Sequence, residues 1–149
     1  ICTFSSNYRY LCAIMYAKDT QIRIRYGETD QMGYVYYGRY AEFYEIGRTE
    51  LIRASGLTYR DLEERGIMMP VTHLEIRYIR PIGYDELITI RTSLKKMPTA
   101  KITFHYQILN EKGEIANEAS CDLVFTNSET RRPVRPPKEL LETLEPYFT

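Results

Sequence analysis

RYGETDQMGYVYYGRY, residues 25–40, joins two segments that have different hydrophobic periods. Residues 20–26 alternate apolar with polar side chains, and this period of two predicts a half-buried strand. Residues 27–33 are mostly polar with glycine at both ends, which predicts a loop. Over residues 38–55 the apolar side chains recur at helical spacing, and a glycine follows as a stop signal. The stretch therefore places a polar loop between a strand and the N-terminus of a long helix.

One face of the predicted helix is apolar and largely aromatic. Its members are Tyr40, Phe43, Tyr44, Gly47 and Leu51. The apolar surface is widened by Ala41, Ile46, Ile52 and Ala54. These residues together predict a largely buried helix, with Tyr40 and Tyr44 in the core. A glycine in an exposed helix costs about 1 kcal/mol relative to alanine, so Gly47 indicates a helix pressed closely against a sheet.

Four more alternating segments and two shorter helices complete the chain. The strands are predicted at residues 71–80, 86–95, 101–109 and 114–126, and the helices at residues 58–65 and 138–147. Pro98-Thr99 and the segment 110–113 have turn chemistry between consecutive strands, which predicts antiparallel hairpins. The economical packing of this order is an α+β fold, in which an antiparallel five-stranded sheet wraps around one long central helix.

The composition is that of one ordinary globular domain. Hydrophobic residues make up 44% of the 149 residues and charged residues 27%, which is a normal balance. The 20 basic and 20 acidic residues cancel, so no overall field would draw the chain to nucleic acid or anionic membrane. Three cysteines without metal-ligand spacing or an even-numbered disulfide framework indicate a reducing compartment, and we expect a cytoplasmic protein.

The first residues are expected to form a separate segment. The apolar run at residues 10–17 is far shorter than the ~20 residues that a transmembrane helix needs, so we expect no membrane insertion. We assign residues 1–19 to an N-terminal extension and residues 20–149 to a single domain.

Two parts of the sequence resemble one enzyme family. They are residues 25–40 with Glu45 and Arg48, and RYIRP at residues 77–81 followed by YDEL at residues 84–87. Both resemble the hydroxybenzoyl-CoA thioesterase-like family of the hotdog fold, and the resemblance covers about residues 20–130. It implies an acyl-CoA thioesterase that converts a small or medium acyl-CoA to free acid and CoA. Because coenzyme A would be part of the substrate, no cofactor is expected.

The resemblance assigns the chemistry to the loop and the helix start. Asp30 matches the catalytic aspartate of the family, which acts as a nucleophile or as a general base. Tyr37 matches the position whose backbone N–H polarises the thioester carbonyl. Many relatives have His at Tyr37 and Asn at Arg39. The role at Tyr37 belongs to the main chain, so tyrosine preserves it, whereas a cation at Arg39 is unfavourable near the positive end of a helix.

The helix start itself points to the same chemistry. A helix N-terminus presents unpaired N–H groups and a dipole equivalent to about half a positive charge. No Ser, Thr, Asp or Asn lies between Tyr34 and Arg39 to cap it, and Gly38 is the acceptable cap candidate but brings no side-chain acceptor. Either water or a distant side chain caps these donors, or the backbone N–H groups of Tyr37 and Gly38 are kept for the substrate oxygen. Beside Asp30, we favour the second interpretation.

Other residues are candidates for substrate binding. Tyr34 and Tyr36 could line a pocket that suits an aromatic acyl group. Lys95, Lys96 and Lys101, near the turn at Pro98, either contact the CoA phosphates as point charges or form a solvated hairpin tip.

Some ionisable residues are assigned no part in the reaction. Glu45 is a rival carboxylate, although pairing with Arg48 three residues on, or exposure to solvent, explains it as well. His73 and His105 lie on polar strand faces without a second ligand at metal spacing, so no metal site is predicted.

Alternative functions differ in what they would require. A hydratase on the same fold typically uses a histidine with a carboxylate, and no histidine lies in the loop or the long helix. A non-catalytic acyl-CoA-binding regulator would need a DNA-binding appendage, which neither the short extension nor a zero net charge provides. An acyl-carrier-protein thioesterase would use the same chemistry, and turnover of the two carriers would distinguish it. Because a single sheet leaves its edges exposed, we expect a homodimer or homotetramer with acyl-CoA as its small-molecule partner.

Overall fold

A computed structural model describes residues 15–149, and the predictions for residues 1–14 lie outside the described residues. The strands are β1 (Tyr16–Arg23), β2 (Ile67–Met68), β3 (Val71–Tyr78), β4 (Leu87–Leu94), β5 (Lys101–Leu109), β6 (Ile115–Val124) and β7 (Thr126–Asn127). The helices are α1 (Tyr40–Ala54), α2 (Tyr59–Glu64) and α3 (Lys138–Leu144), with 3₁₀ turns at Tyr26–Glu28, Tyr37–Arg39 and Glu145–Tyr147. The predicted succession of strand, long helix, short helix, four strands and terminal helix is confirmed.

The main sheet has five antiparallel strands in the order β1-β4-β5-β6-β3. The two predicted hairpins are present, since β4 pairs with β5 and β5 pairs with β6 in antiparallel register. α1 lies against one face of this sheet, over β1, β4 and β5. The α+β hotdog architecture implied by the family resemblance is therefore confirmed.

The core lies between α1 and the concave face of the sheet. Tyr40 and Tyr44 are at most 3% exposed, as predicted for core residues. The prediction of a largely buried helix was wrong on its outward side, where Ala41, Ile46 and Ala54 are exposed. Apolar residues on that side widen the apolar surface of the helix, but no second layer among residues 15–149 covers them.

Gly47 allows the close approach of α1 to the sheet. A Cβ atom added there would lie 2.3 Å from Oγ1 of Thr92 and 2.8 Å from Cγ2 of Ile90, both on β4. These distances are shorter than any van der Waals contact, so the predicted reason for the glycine is confirmed.

Element boundaries differ from the predictions in three places. β1 begins at Tyr16, so residues 16–19 belong to the sheet and not to the extension. Tyr26, predicted on the strand, lies in a 3₁₀ turn and is 78% exposed. The strand predicted at residues 114–126 is divided at Phe125, because β7 leaves the main sheet and pairs with β2. Alternation of side chains continues across such a change of partner and does not reveal it.

β3 is an edge strand that the rest of residues 15–149 leaves largely exposed. α1 reaches it at Tyr78, which contacts Tyr40, and Leu74 and Tyr78, which lie on its predicted apolar face, are 38% and 49% exposed. Val71 is 47% exposed on the same strand. In the part of the chain that the structure describes, no helix is both long enough and apolar enough to cross a membrane.

Candidate active site

Asp30 organises the tight turn that follows β1. Its N–H donates to the carbonyl oxygen of Tyr34 (2.8 Å), and its own carbonyl accepts from the N–H of Gly33 (3.0 Å). Its Oδ1 accepts from the N–H of Met32 at 2.9 Å, which forms an Asx turn. Gly33 has φ of 80°, a left-handed conformation that glycine adopts without steric cost.

The second carboxylate oxygen of Asp30 is available for chemistry. Among residues 15–149, no group donates a hydrogen bond to its Oδ2, and the side chain is half-buried rather than fully solvated. One oxygen therefore maintains the turn while the other is directed to water or to a bound molecule.

Glu28 holds the loop against the start of the helix, and we did not predict this role. It is 6% exposed, and its carboxylate accepts hydrogen bonds from the N–H, Nε and Nη2 of Arg25 at 2.7, 3.0 and 2.8 Å. Its carbonyl accepts from the N–H of Tyr36 at 2.9 Å. The spacing of three residues between Arg25 and Glu28 was a partial signal, because a glutamate at this spacing accepts from the N-cap N–H as in one half of a capping box.

The second sequence motif of the family resemblance holds the loop from the other side. The N–H of Val35 donates to the carbonyl of Ile82 at 2.8 Å, and Tyr34 forms an isolated bridge with Gly83. The N–H of Ile24 donates to the carbonyl of Glu86 at 2.9 Å. The two motifs, far apart in sequence, are therefore one structural unit.

The N-terminus of the helix has no side-chain cap. The 3₁₀ turn Tyr37–Arg39 runs directly into α1, with Tyr36 as N-cap of the turn and Arg39 as N-cap of the helix. Gly38, predicted as the cap candidate, lies within the turn because the helix starts with tighter 3₁₀ geometry. Neither N-cap side chain makes a capping hydrogen bond. Within residues 15–149, the N–H groups of Tyr37 and Gly38 have no acceptor.

Arg39 is compatible with this helix start because it is paired. Its Nη1 lies 2.8 Å from Oε1 of Glu42, an acidic residue in the first turn of α1. The carboxylate offsets the unfavourable position of the cation near the helix N-terminus. Although many relatives have asparagine at this position, Arg39 therefore does not place an unpaired positive charge near the free N–H groups of the helix start.

Tyr40 connects the helix start to the loop. Burial, together with the nearby Tyr78, Glu86 and Asp30, raises the pKa of Tyr40 to about 12. The Tyr40 hydroxyl therefore stays protonated in the neutral range, in the neighbourhood of the loop carboxylate.

The predicted acyl-pocket tyrosines lie exposed around this site. Tyr34 and Tyr36 are each 45% exposed and Tyr37 is 64% exposed. The rings of Tyr36 and Tyr37 contact each other with centroids 4.7 Å apart. These rings form an exposed aromatic surface on the segment that leads into α1.

Lys95, Lys96 and Lys101 lie at the opposite end of the sheet from the Asp30 loop. β4 starts beside that loop and ends at Leu94, next to the first of these lysines. Its seven residue steps, from 87 to 94 at about 3.3 Å each, separate the two ends by about 23 Å. Lys101 also forms an ion pair at 2.9 Å with Asp122. The structure does not bring these lysines together with the Asp30 loop of the same protomer.

Glu45 is far less enclosed than Asp30. Its side chain is 70% exposed and lies 3.9 Å from Nη2 of Arg48, so the predicted pairing is present. His73 and His105 are on the face of the sheet opposite α1, and His73 contacts Glu75 at 3.7 Å. Residues 15–149 contain no group of side chains arranged to hold a metal ion.

A free carboxylate oxygen on a loop that is hydrogen-bonded to the segment before an uncapped helix start is suited to one class of reaction. Unpaired N–H groups and a helix dipole can stabilise negative charge that develops on a carbonyl oxygen. A carboxylate can accept a proton from water or attack a carbonyl carbon itself. Fold and site together therefore define a hydrolase of activated acyl groups on a hotdog scaffold.

Comparison with known proteins identifies the family within this class of hydrolases. Residues 24–144 match the Thioesterase-like superfamily, and the chain belongs to that family. It is 34% identical to YneP of Bacillus subtilis, which is named as an acyl-CoA thioesterase, over 81% of this chain and 88% of that protein. It is 28% identical to the acyl-CoA thioester hydrolase YbgC of Escherichia coli, over 80% and 90% of the two chains. The protein is therefore a thioester hydrolase.

A solved structure supports both the fold and the relationship. The DHNA-CoA thioesterase of Staphylococcus aureus is 38% identical to this chain and superimposes with a TM-score of 0.78. The match covers 80% of each chain.

Proposed function

We propose that this thioester hydrolase converts a small or medium acyl-CoA to the free acid and CoA, with Asp30 as the working carboxylate. The observation that carries the proposal is that the loop with the free Oδ2 of Asp30 is hydrogen-bonded to the segment that leads into the unpaired N–H groups of Tyr37 and Gly38. The names of the Bacillus and Escherichia relatives support acyl-CoA as the substrate.

In the proposed reaction Asp30 acts as a general base. Its Oδ2 takes a proton from a water molecule, and the water oxygen bonds to the thioester carbon. The carbonyl oxygen becomes an oxyanion that accepts hydrogen bonds from the N–H groups of Tyr37 and Gly38. The C–S bond then breaks, and the departing CoA sulfur receives the proton held by Asp30. The competing route has the Asp30 carboxylate attack the carbon, so that the C–S bond breaks and CoA leaves as a thiolate that solvent protonates. Water then hydrolyses the resulting anhydride to the free acid and the Asp30 carboxylate.

The acyl group is proposed to be one that an aromatic surface accepts. The exposed rings of Tyr34 and Tyr36 lie beside the site and offer apolar faces with polar edges. The Staphylococcus aureus relative is named for a DHNA-CoA substrate, which supports an aromatic acyl group in this chain as well.

A substrate panel tests this function. Aliphatic and aromatic acyl-CoA esters of graded size are compared with the same acyl groups on acyl-carrier protein. We expect turnover of acyl-CoA, with the highest kcat/KM for an aromatic or medium acyl group. Exclusive turnover of the carrier-protein esters would replace this function with the second thioesterase candidate, and binding without turnover of any ester would leave an acyl-CoA-binding protein.

We further propose that the protein is a homodimer or homotetramer in which β3 pairs with β3 of a second copy. β3 is eight residues long, has β6 as its partner on one edge, and exposes Val71, Leu74 and Tyr78. Long open edges of this kind are rare in monomers, because they promote association. Pairing would bring the Asp30 loop of one protomer near strands of the other.

The cysteine content supports a cytoplasmic location, where free thiols such as buried Cys121 stay reduced.

A further inference from the structure

Tyr78 makes a contact that the general mechanism does not use. It is the last residue of the edge strand β3, and its hydroxyl donates a hydrogen bond to the carbonyl oxygen of Tyr37 at 3.1 Å. The two residues are separated by 41 positions in the chain. A carbonyl oxygen only accepts, so the direction of this hydrogen bond is unambiguous.

The acceptor belongs to the peptide group that presents a substrate donor. The carbonyl of Tyr37 and the N–H of Gly38 are two ends of one planar, conjugated amide. A hydrogen bond received at the oxygen polarises the amide and strengthens the hydrogen bond donated by its N–H, as in cooperative hydrogen-bond chains. The Gly38 N–H has no acceptor within residues 15–149. The strengthened donor is therefore available to a molecule that binds at the helix start.

A contact between aromatic rings holds the side chain of Tyr78 in place. The ring contacts that of Tyr40 edge to face, with centroids 5.4 Å apart and planes at 67°. Burial and the neighbouring Tyr37 raise the pKa of Tyr78 above its ordinary value, so the hydroxyl keeps its proton and remains a donor throughout the neutral range.

We propose that Tyr78 is a positioning residue, which holds and polarises the Tyr37–Gly38 peptide so that the Gly38 N–H is a better donor to the thioester oxygen. This inference rests on the proposed function. It connects β3, the strand with the open edge, to the donors that stabilise the oxyanion.

Tyr78→Phe tests the inference, because it keeps the ring on Tyr40 and removes only the hydroxyl. We expect kcat to fall about three- to tenfold with KM nearly unchanged, the effect of one neutral hydrogen bond that matters in the transition state. The matched control is Tyr84→Phe. Tyr84 is 58% exposed and contacts Tyr26 near the same loop, and its hydroxyl has no hydrogen-bond partner among the described residues.

A spectroscopic measurement separates positioning from a structural role. An aromatic acyl-CoA with a ¹³C-labelled carbonyl is bound to Asp30→Asn protein, which retains the ester, and the carbonyl stretch is recorded by difference infrared spectroscopy. Donors at the oxygen lower this frequency, so adding Tyr78→Phe should reduce the downshift while Tyr84→Phe leaves it unchanged. If Tyr78→Phe does not fold, a fluorinated tyrosine at position 78, a stronger donor while protonated, should increase the downshift.

The outcomes distinguish this inference from the function on which it rests. Absence of acyl-CoA turnover by the unaltered protein would contradict the proposed function. The other outcome is that the unaltered protein turns over acyl-CoA normally, while Tyr78→Phe and Tyr84→Phe have the same kcat and the same carbonyl frequency. This result would leave the proposed function intact and reject the role of Tyr78.

Discussion

At the scale of single residues, the site depends on Asp30 having two different oxygens. Oδ1 accepts from the N–H of Met32 and shapes the turn, and Oδ2 is free of protein donors within residues 15–149. One side chain therefore offers an oxygen that shapes the turn and a second oxygen for the proposed reaction. An asparagine at this position would keep the first role and lose the second, which makes the two roles experimentally separable.

The proposed site residues with a local signature are the ones that the sequence indicates. Asp30, Tyr37 and Gly38 lie within one short motif, and a hydrogen bond from the N–H of Tyr36 to the carbonyl of Glu28 ties the loop to the segment before the helix, while their roles in the reaction stay predictions. Tyr78 could not be predicted, because its acceptor on Tyr37 is distant in the chain and the contact depends on where β3 ends. The position of Lys101 relative to Asp30 depends in the same way on strand order.

Lys101 gives a prediction at this scale. In the proposed oligomer Lys101 can serve only the site of a second copy, because it lies at the far end of the sheet from the Asp30 loop of its own chain. If it contacts a CoA phosphate there, Lys101→Ala is expected to raise KM for acyl-CoA with little change in kcat, since such a contact is equal in the ground and transition states. Lys101 also lowers the pKa of Asp122 through the hydrogen bond between them, and losing a surface pair of this kind costs up to about 1 kcal/mol. Steady-state kinetics and thermal melts measure both effects.

The controls for Lys101 separate phosphate binding from structure. A truncated thioester without the nucleotide should be insensitive to Lys101→Ala. Lys112 lies at the exposed β5–β6 turn. Lys112→Ala should change neither the KM for the full acyl-CoA nor the KM for the truncated thioester. Equal effects of Lys101→Ala on the full and truncated substrates would assign Lys101 a structural role only.

At the scale of elements, α1 is the part whose packing could be predicted in most detail. Period and aromatic content predicted its sheet-facing side, and Gly47 predicted the close approach. The burial of its outward side was predicted less well. Hydrophobic residues such as Ile46 indicate an apolar surface, but the sequence does not show whether another layer covers that surface. The short strands β2 and β7 gave no periodic signal, since two residues are too few to show one.

Gly47→Ala is expected to destabilise the fold. The new Cβ would overlap Oγ1 of Thr92 and Cγ2 of Ile90, and overpacking of this kind costs about 1–3 kcal/mol, more than the roughly 1 kcal/mol gained in helix propensity. Denaturant unfolding should show the lower free energy. Gly27→Ala, where an added Cβ has nothing within 4 Å, is the control. A Gly47→Ala protein as stable as wild type would contradict the close packing of α1 on β4.

At the scale of the whole molecule, the sheet formed by residues 15–149 has a free edge at β3. α1 contacts the inner face of this strand at Tyr78, Leu74 on the same face is exposed, and the edge is long enough to pair with a second copy. Exposed edges could be expected from a single five-stranded sheet, but the sequence does not tell which strand lies at the edge. The register of β3 against β6 supplies that information.

Leu74→Glu tests whether β3 is the subunit interface. The side chain is 38% exposed in the protomer, so a charge there is tolerated in a monomer but is buried without a partner in a β3-paired dimer. Light scattering should show a shift toward monomer and a loss of activity. Ile46→Glu, 39% exposed on the outward side of α1, should leave the dimer intact. A stable, fully active monomeric wild type would contradict the oligomer outright.

The central claim is that the Asp30 carboxylate performs the chemistry, and the kinetics of Asp30→Asn test it most directly. We expect kcat to fall by roughly 10²–10⁴-fold, the usual contribution of a positioned acid–base group, while KM changes little. Tm should not fall, because the asparagine oxygen still accepts from the N–H of Met32. Glu45→Gln, on a carboxylate that is 70% exposed, should keep most of the activity. An Asp30→Asn protein that hydrolyses acyl-CoA within a few-fold of the wild-type rate would contradict the account and make Glu45 the carboxylate to test.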